Sequence, residues 1–283
     1  MSFVNLNGKL LDDTVPYFKA NRAFKYGDGV FESIRIVSGN MMSFDAHYRR
    51  LMSALKAIRV KIPNSYTKEY FLENIIKLLK ANNIVFGASI RLSVFRDAQG
   101  RYFPNEDNIS FFIESFNLND NNYKLNSEGI LINVYKDIKK NINILSPYKT
   151  LNSLINVLAV INAKEKSFDD SLLINENENI IEASSSNVFI VSNGVLYTPS
   201  LNDGCVGGIM RMKIINLALK NNITIYECSL NMQNLMSADE IFLTNAISGI
   251  IWVGGFNNKR YYNSLSKRIM NILIEDTLKP SLI

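Results

Sequence analysis

Five groups of residues have the types and spacing to do chemistry on a small anionic molecule. Lys149 sits in Ser146-Pro-Tyr-Lys-Thr-Leu-Asn-Ser-Leu154, a polar stretch just before an apolar helical pattern. A lysine partly desolvated at such a boundary loses some preference for the ammonium, and its free amine is a nucleophile that can form a Schiff base. Glu182 precedes the small hydroxylic run Ala-Ser-Ser-Ser-Asn187. A carboxylate there can hold a pyridinium N–H, and small neighbours let the backbone approach a flat ring. Gly204-Cys-Val-Gly-Gly-Ile-Met-Arg211 runs straight into an amphipathic pattern, so the first N–H groups of that helix are exposed for a phosphate. Thr244 ends the strand-like Glu240-Ile-Phe-Leu-Thr and can add a hydroxyl. Arg50 follows His47 by three residues on a helical pattern, near one face, and arginine suits a phosphate.

Each group also has an ordinary reading: a solvated lysine, a surface turn, a left-handed glycine turn, a packing histidine. Composition narrows the alternatives. With two Cys and one His, a disulfide framework and a zinc site both lack ligands. The net charge of +5 lies wholly in residues 1–118, which carry 16 Lys/Arg against 11 Asp/Glu. No basic run accompanies it, so small anions explain the excess better than nucleic acid. Neither a secretory signal nor a membrane-length apolar run is visible, and the expectation is a cytoplasmic protein with reduced thiols.

The elements that must position these residues follow from periodicity. Asn7-Gly8 between short apolar runs predicts a hairpin. Val30–Val37 reads as a strand and Met41–Phe44 as its return. Helical patterns begin at Asp45, with Leu51, Leu55 and Ile58 on one face, and at Tyr70, with Thr67 as a nearby N-cap. Strands Ala88–Phe95 and Ile109–Glu114 complete a small α/β domain over residues 1–118. The Asn-rich residues 119–128 read as a linker. Residues 129–283 read as a larger α/β domain. Its strands are Ile130–Tyr135, Leu172–Asn175, Val188–Val191, Val195–Tyr197, Ile223–Glu227 and Ile241–Asn245, with a further candidate at Ile250–Val253. Its helices are Asn152–Lys166, Ile209–Leu219 and Ser264–Thr277.

In order and approximate spacing, these groups resemble the fold-type IV pyridoxal-phosphate enzymes, the class IV aminotransferase family. The resemblance runs from Asn21-Arg-Ala-Phe-Lys-Tyr-Gly-Asp-Gly-Val-Phe-Glu32 to the final helix. It implies a small α/β N-terminal domain, a larger barrel-like α/β cofactor-binding domain, a homodimer and bound pyridoxal 5'-phosphate. It implies Lys149 as Schiff-base lysine and proton shuttle, and Glu182 as partner of the ring nitrogen. Arg50, Thr244 and the N–H groups of Ile209 and Met210 would form the phosphate cup. Ser185, Ser186 and Asn187 would lie against the cofactor.

Within the family, Lys149-Thr-Leu-Asn-Ser-Leu and Gly208-Ile-Met-Arg211 resemble 4-amino-4-deoxychorismate lyases, which release 4-aminobenzoate and pyruvate on the way to folate. Branched-chain transaminases usually carry Tyr where Leu154 stands, and D-amino-acid transaminases tend to carry Tyr at Phe31 and His at Phe103. Transaminases usually have Thr at Met210. Phe31 is placed in the substrate site, and Arg91, Arg96 and Arg101 are candidates for the substrate carboxylates. A branched-chain or D-amino-acid transaminase using 2-oxoglutarate is the alternative, and a non-catalytic anion- or nucleic-acid-binding protein is a third reading. No metal is expected, and neither nucleic acid nor membrane is expected as a partner.

Overall fold

A computed structural model describes residues 2–12 and 21–278. Its contacts divide the chain into two units: residues 1–122 with 148–152, and residues 123–147 with 153–283.

The first unit opens with the hairpin β1 (Phe3–Leu6) and β2 (Lys9–Asp12). Asn7 and Gly8 both have positive φ, 48° and 86°, as a tight two-residue turn requires. A short helix α1 (Arg22–Tyr26) is capped by the Asn21 side chain, which accepts from Ala23 N–H at 2.8 Å. Then come β3 (Gly29–Val37), β4 (Asn40–Met41), α2 (Phe44–Ala57) and α3 (Lys68–Ala81). Thr67 is the N-cap of α3, accepting from Tyr70 N–H at 3.1 Å. The strands β5 (Ala88–Arg96) and β6 (Ile109–Asn117) complete an antiparallel sheet of order β2-β1-β6-β5-β3-β4.

Alternation gives this sheet two unlike faces. Val30, Ile34 and Ile36 of β3, Ile90, Leu92 and Val94 of β5, and Phe111 and Ile113 of β6 are buried in one core with Leu51, Leu55, Phe71, Ile75 and Leu78 of the two helices. The opposite face carries Phe31, Arg91, Ser93, Phe95 and Phe112, and a cavity of about 300 Å³ is lined there by Ser93, Phe95, Phe112 and Leu151 among others. Residues 149–151 return from later in the chain and zip onto β3. Phe31 N–H donates to Lys149 C=O at 2.8 Å, and Leu151 N–H donates to Gly29 C=O at 2.9 Å.

The second unit holds β7 (Ile130–Lys140), α4 (Leu154–Glu165), β8 (Asp170–Asn175), β9 (Ile180–Ala183), β10 (Asn187–Ser192) and β11 (Val195–Thr198). After them come α5 (Ile209–Lys220), β12 (Ile225–Glu227), α6 (Met232–Ser237), β13 (Glu240–Asn245), β14 (Gly249–Phe256), β15 (Lys259–Arg260) and α7 (Ser264–Leu278). The mixed sheet runs β12-β11-β10-β13-β14-β7-β8-β9, with β15 on β14. Its strands read as apolar runs because several of them are buried throughout, as in Ile180–Ala183.

The polar stretch expected as a linker is packed over its second half. Tyr123 is buried and donates to Ala246 C=O at 3.1 Å. Asn126 exchanges hydrogen bonds with the backbone of Trp252, and accepts the indole N–H on its own carbonyl at 2.8 Å. Among the described residues no helix is long and apolar enough to cross a membrane.

Phe111 is fully buried and packs edge-on against Phe71, Tyr66 and Tyr70, with ring centroids 5.3 to 5.8 Å apart. Phe111→Ala leaves a cavity that the two strands beside it prevent from collapsing. The expected loss is about 3–5 kcal/mol, read from the urea midpoint of the transition that reports the first unit.

Candidate active site

In the first unit the chemistry is arranged around β3. Glu32 lies on the core face between Val30 and Ile34, with its side chain 3% exposed. A carboxylate cannot sit there as an anion without partners. Both oxygens find them on α2, which places His47 and Arg50 one turn apart. Arg50 donates from Nε to Oε1 at 2.8 Å and from Nη2 to Oε2 at 2.6 Å. His47 Nδ1 lies 2.7 Å from Oε2. Burial pushes the Glu32 carboxyl up, but the Arg50 charge and the His47 and Arg50 hydrogen bonds outweigh it and hold it at about 2. Burial lowers the His47 pKa, opposed by its bond to Glu32. The imidazole is therefore neutral at pH 7, with Nδ1–H as the donor.

On the opposite face of β3, Phe31 is flanked by two cations. The Lys149 ammonium lies 4.6 Å from its ring centroid and the Arg91 guanidinium 3.8 Å. The main-chain bonds of residues 149–151 to β3 put Lys149 there. Arg91 has only a loose pairing with Glu114, at 4.0 Å, so its guanidinium retains capacity for a carboxylate. Arg96, the other candidate on this strand, points the other way, as alternation along a regular strand requires. It is buried, donating from Nε to Asp28 at 3.1 Å and from Nη2 to Ile58 C=O at 2.8 Å. An odd separation along a strand puts Arg91 and Arg96 on opposite faces, and Arg96 is a structural residue rather than a substrate ligand. Arg101 is exposed in the loop between β5 and β6.

In the second unit Glu182 is buried on β9 and held by both oxygens. Lys140, at the end of β7, donates to Oε1 at 2.6 Å, and Val206 N–H donates to Oε2 at 2.7 Å. Each carboxylate oxygen has two lone pairs, so acceptor capacity remains for a ring N–H. Asn187 donates to Val206 C=O at 2.8 Å, and its Oδ1 lies 1.9 Å from where a Cβ on Gly208 would sit. A side chain at that helix start would displace the Asn187 amide from Val206. The helix α5 begins immediately after, with Ile209 and Met210 in its first turn and no side-chain cap. Thr244 pairs with Asn187 across β10 and β13. Its Oγ1 is buried without a hydrogen-bond partner among the described residues. Ser186 is buried and accepts from Asn245 at 3.0 Å, whereas Ser185 is exposed.

This donor set fits pyridoxal phosphate. An orphaned buried hydroxyl and an uncapped helix start suit a phosphate, and a fixed carboxylate suits a ring nitrogen. Glu32 and Lys140 were missed in sequence. The signal for Glu32 was present: it interrupts the apolar alternation Val30, Ile34, Ile36.

The profile of the family described as Amino-transferase class IV matches residues 29–254. A putative branched-chain-amino-acid aminotransferase of Methanocaldococcus jannaschii is 30% identical over 281 residues, covering 94% of this chain and 93% of that protein. A D-alanine aminotransferase of Listeria monocytogenes is 30% identical over 232 residues, covering 80% and 77%. Among solved structures, a putative 4-amino-4-deoxychorismate lyase of Legionella pneumophila superposes with a TM-score of 0.84 at 24% identity, covering 94% of this chain and 97% of that one.

The Glu32 cluster makes stability depend on acid. Its folded-state pKa of about 2 lies below the ordinary 4.5, so the stabilisation is full above 4.5 and is lost as pH falls toward 2. The loss expected across that window is roughly 3 kcal/mol. Urea midpoints of the wild type and Glu32→Gln, measured from pH 6 to pH 2, should converge at the acid end.

Proposed function

Because the chain belongs to the class IV aminotransferase family and is a pyridoxal-phosphate-dependent enzyme, we propose that it is a 4-amino-4-deoxychorismate lyase. The observation that carries the reading is the pair of cations on Phe31. A substrate whose amine is directed to Lys149 brings a neighbouring carboxylate to Arg91. Arg101 is the candidate for the second carboxylate.

Bound pyridoxal phosphate supplies an electron-withdrawing ring that stores the pair left behind when a proton departs. The chain's own residues do the rest. Thr244 Oγ1 and the first-turn N–H groups of α5 would hold the phosphate, whereas Arg50, the remaining member of the expected cup, spends Nε and Nη2 on Glu32. Glu182, oriented by Lys140 and Val206 N–H, would hold a proton on the ring nitrogen. Lys149 removes the proton from the amine-bearing carbon of the substrate. The C–O bond to the enolpyruvyl group then breaks, pyruvate leaves, and the carbocycle becomes aromatic. Support for a lyase over a transaminase comes from Met210 and Leu154. Met210 is buried and offers no hydroxyl at the phosphate end, and Leu154 is a largely exposed aliphatic residue rather than a phenol.

The second reading is an amino-acid transaminase for branched-chain or D-amino acids. The two relatives at 30% identity favour it.

Lys149→Ala should abolish turnover and leave the far-UV circular dichroism unchanged, and borohydride reduction of the wild type should fix a pyridoxyl group on Lys149. With aminodeoxychorismate and no 2-oxo acid, 4-aminobenzoate should accumulate over many turnovers. Glutamate formed from an amino acid and 2-oxoglutarate, with no 4-aminobenzoate from aminodeoxychorismate, would make the transaminase reading correct.

A further inference from the structure

Arg22 is buried to 4% exposure in the first unit, an unusual place for a guanidinium. Nε donates to Asp28 at 2.7 Å. Nη1 donates to the carbonyls of Gly100 at 3.2 Å and Arg101 at 2.6 Å, and Nη2 to that of Tyr102 at 3.3 Å. Three successive main-chain carbonyls thus converge on one side chain. They belong to the tip of the loop between β5 and β6. That loop narrows where Asn105 N–H donates to Gln99 C=O at 3.0 Å. With the carbonyls of Gly100, Arg101 and Tyr102 turned inward, the side chains of Arg101, Tyr102 and Phe103 face solvent; the two aromatic residues are 89% and 83% exposed. The Tyr102 ring meets Tyr26 at 5.7 Å, and the guanidinium of Arg22 lies 4.9 Å from that same Tyr26 ring.

We propose that Arg22 is a positioning residue for substrate recognition. Its guanidinium clamps the backbone of residues 100–102, so that Arg101, Tyr102 and Phe103 are presented as one preorganised surface to a carboxylate-bearing substrate. This rests on the reading of Arg101 as a substrate ligand given under Proposed function. An exposed loop that must order on binding loses affinity to that ordering, and a clamp made before binding removes the loss. The fold does not need Arg22 for charge balance, because Asp28 also accepts from Arg96. Removing Arg22 leaves the Asp28–Arg96 pair in place and releases the loop.

The test uses the holoenzyme and the variants Arg22→Gln, Gly100→Ala and Arg101→Ala. Gly100 has φ of +106°, and a Cβ there would lie 2.3 Å from Phe103 C=O, so Gly100→Ala disturbs the loop at one of the clamped carbonyls while leaving the Arg22, Asp28 and Arg96 side chains unchanged. Trypsin cleavage after Arg101, followed by mass spectrometry, should be faster by about tenfold or more in Arg22→Gln and Gly100→Ala, with cleavage elsewhere unchanged. KM for the substrate that turns over should rise in both while kcat changes little. Arg22→Gln combined with Arg101→Ala should raise KM no further than Arg101→Ala alone. Unchanged cleavage after Arg101 and unchanged KM in Arg22→Gln overturn the proposal. If Arg22→Gln fails to fold, the same null result in Gly100→Ala overturns it. If Arg101→Ala leaves KM unchanged, the substrate role of Arg101 falls and takes the recognition half of the proposal with it, whereas accelerated cleavage still registers the clamp.

Discussion

Glu32 is a carboxylate placed where the sheet would otherwise present an aliphatic side chain to α2 and α3. An anion in that position is tolerable only if each oxygen is paired, and both partners come from a single helix. This constraint fixes α2 in rotation and depth. With His47 and Arg50 held on Glu32, Leu51 and Leu55 are carried into the core on the same helix. Breaking such a pair from one side leaves a buried charge, at a cost of about 3–5 kcal/mol. The strand that bears this load also carries Phe31 on its other face, and its free edge receives residues 149–151. Arg50 is thereby tied to one face of β3 through Glu32, and Lys149 and Arg91 meet Phe31 on the other.

The second unit solves a similar problem differently. Glu182 is as buried as Glu32, but its partners are one lysine and one backbone N–H, not a fork and an imidazole. Each oxygen is engaged once. Nearby, Thr244 Oγ1 has no partner among the described residues although it is buried. An unsatisfied buried hydroxyl typically costs about 1–3 kcal/mol. The Glu32 cluster therefore closes its polar bonds internally, whereas the second unit leaves acceptor and donor capacity at Glu182, Thr244 and the α5 start. That asymmetry is what a ligand-holding surface looks like before its ligand is considered.

Periodicity revealed the long elements of the fold because their apolar faces are regular. Thr67 and Ser264 bound α3 and α7 close to where sequence placed them. The short helices α1 and α6 escaped notice, since a single turn held by Asn21 or Asn231 has no repeating face to detect. At the site, residue type was legible and placement was not. Lys149 was visible as a lysine before a helix. Its pairing with β3, more than a hundred residues earlier, is a non-local bond that no local pattern encodes. Alternation along a regular strand already separates Arg91 and Arg96 onto opposite faces, but which face meets Phe31 and which is sealed against Asp28 depends on the neighbouring strands. Lys140 was overlooked because a lysine in a run of lysines reads as solvated. Its partner, Glu182, lies on another strand.

The same physics explains why family is plain in this sequence and substrate is not. Glu182 and Thr244, expected to hold the cofactor, are side chains on strands, where a change of type removes the interaction. The loop of residues 97–108 is held by other means. Arg22 grips carbonyl oxygens, which every residue possesses, so it holds residues 100–102 whatever side chains they carry. Arg101, Tyr102 and Phe103 can then be exchanged without unfolding the loop that presents them. A scaffold that recognises backbone from behind leaves the front free to vary.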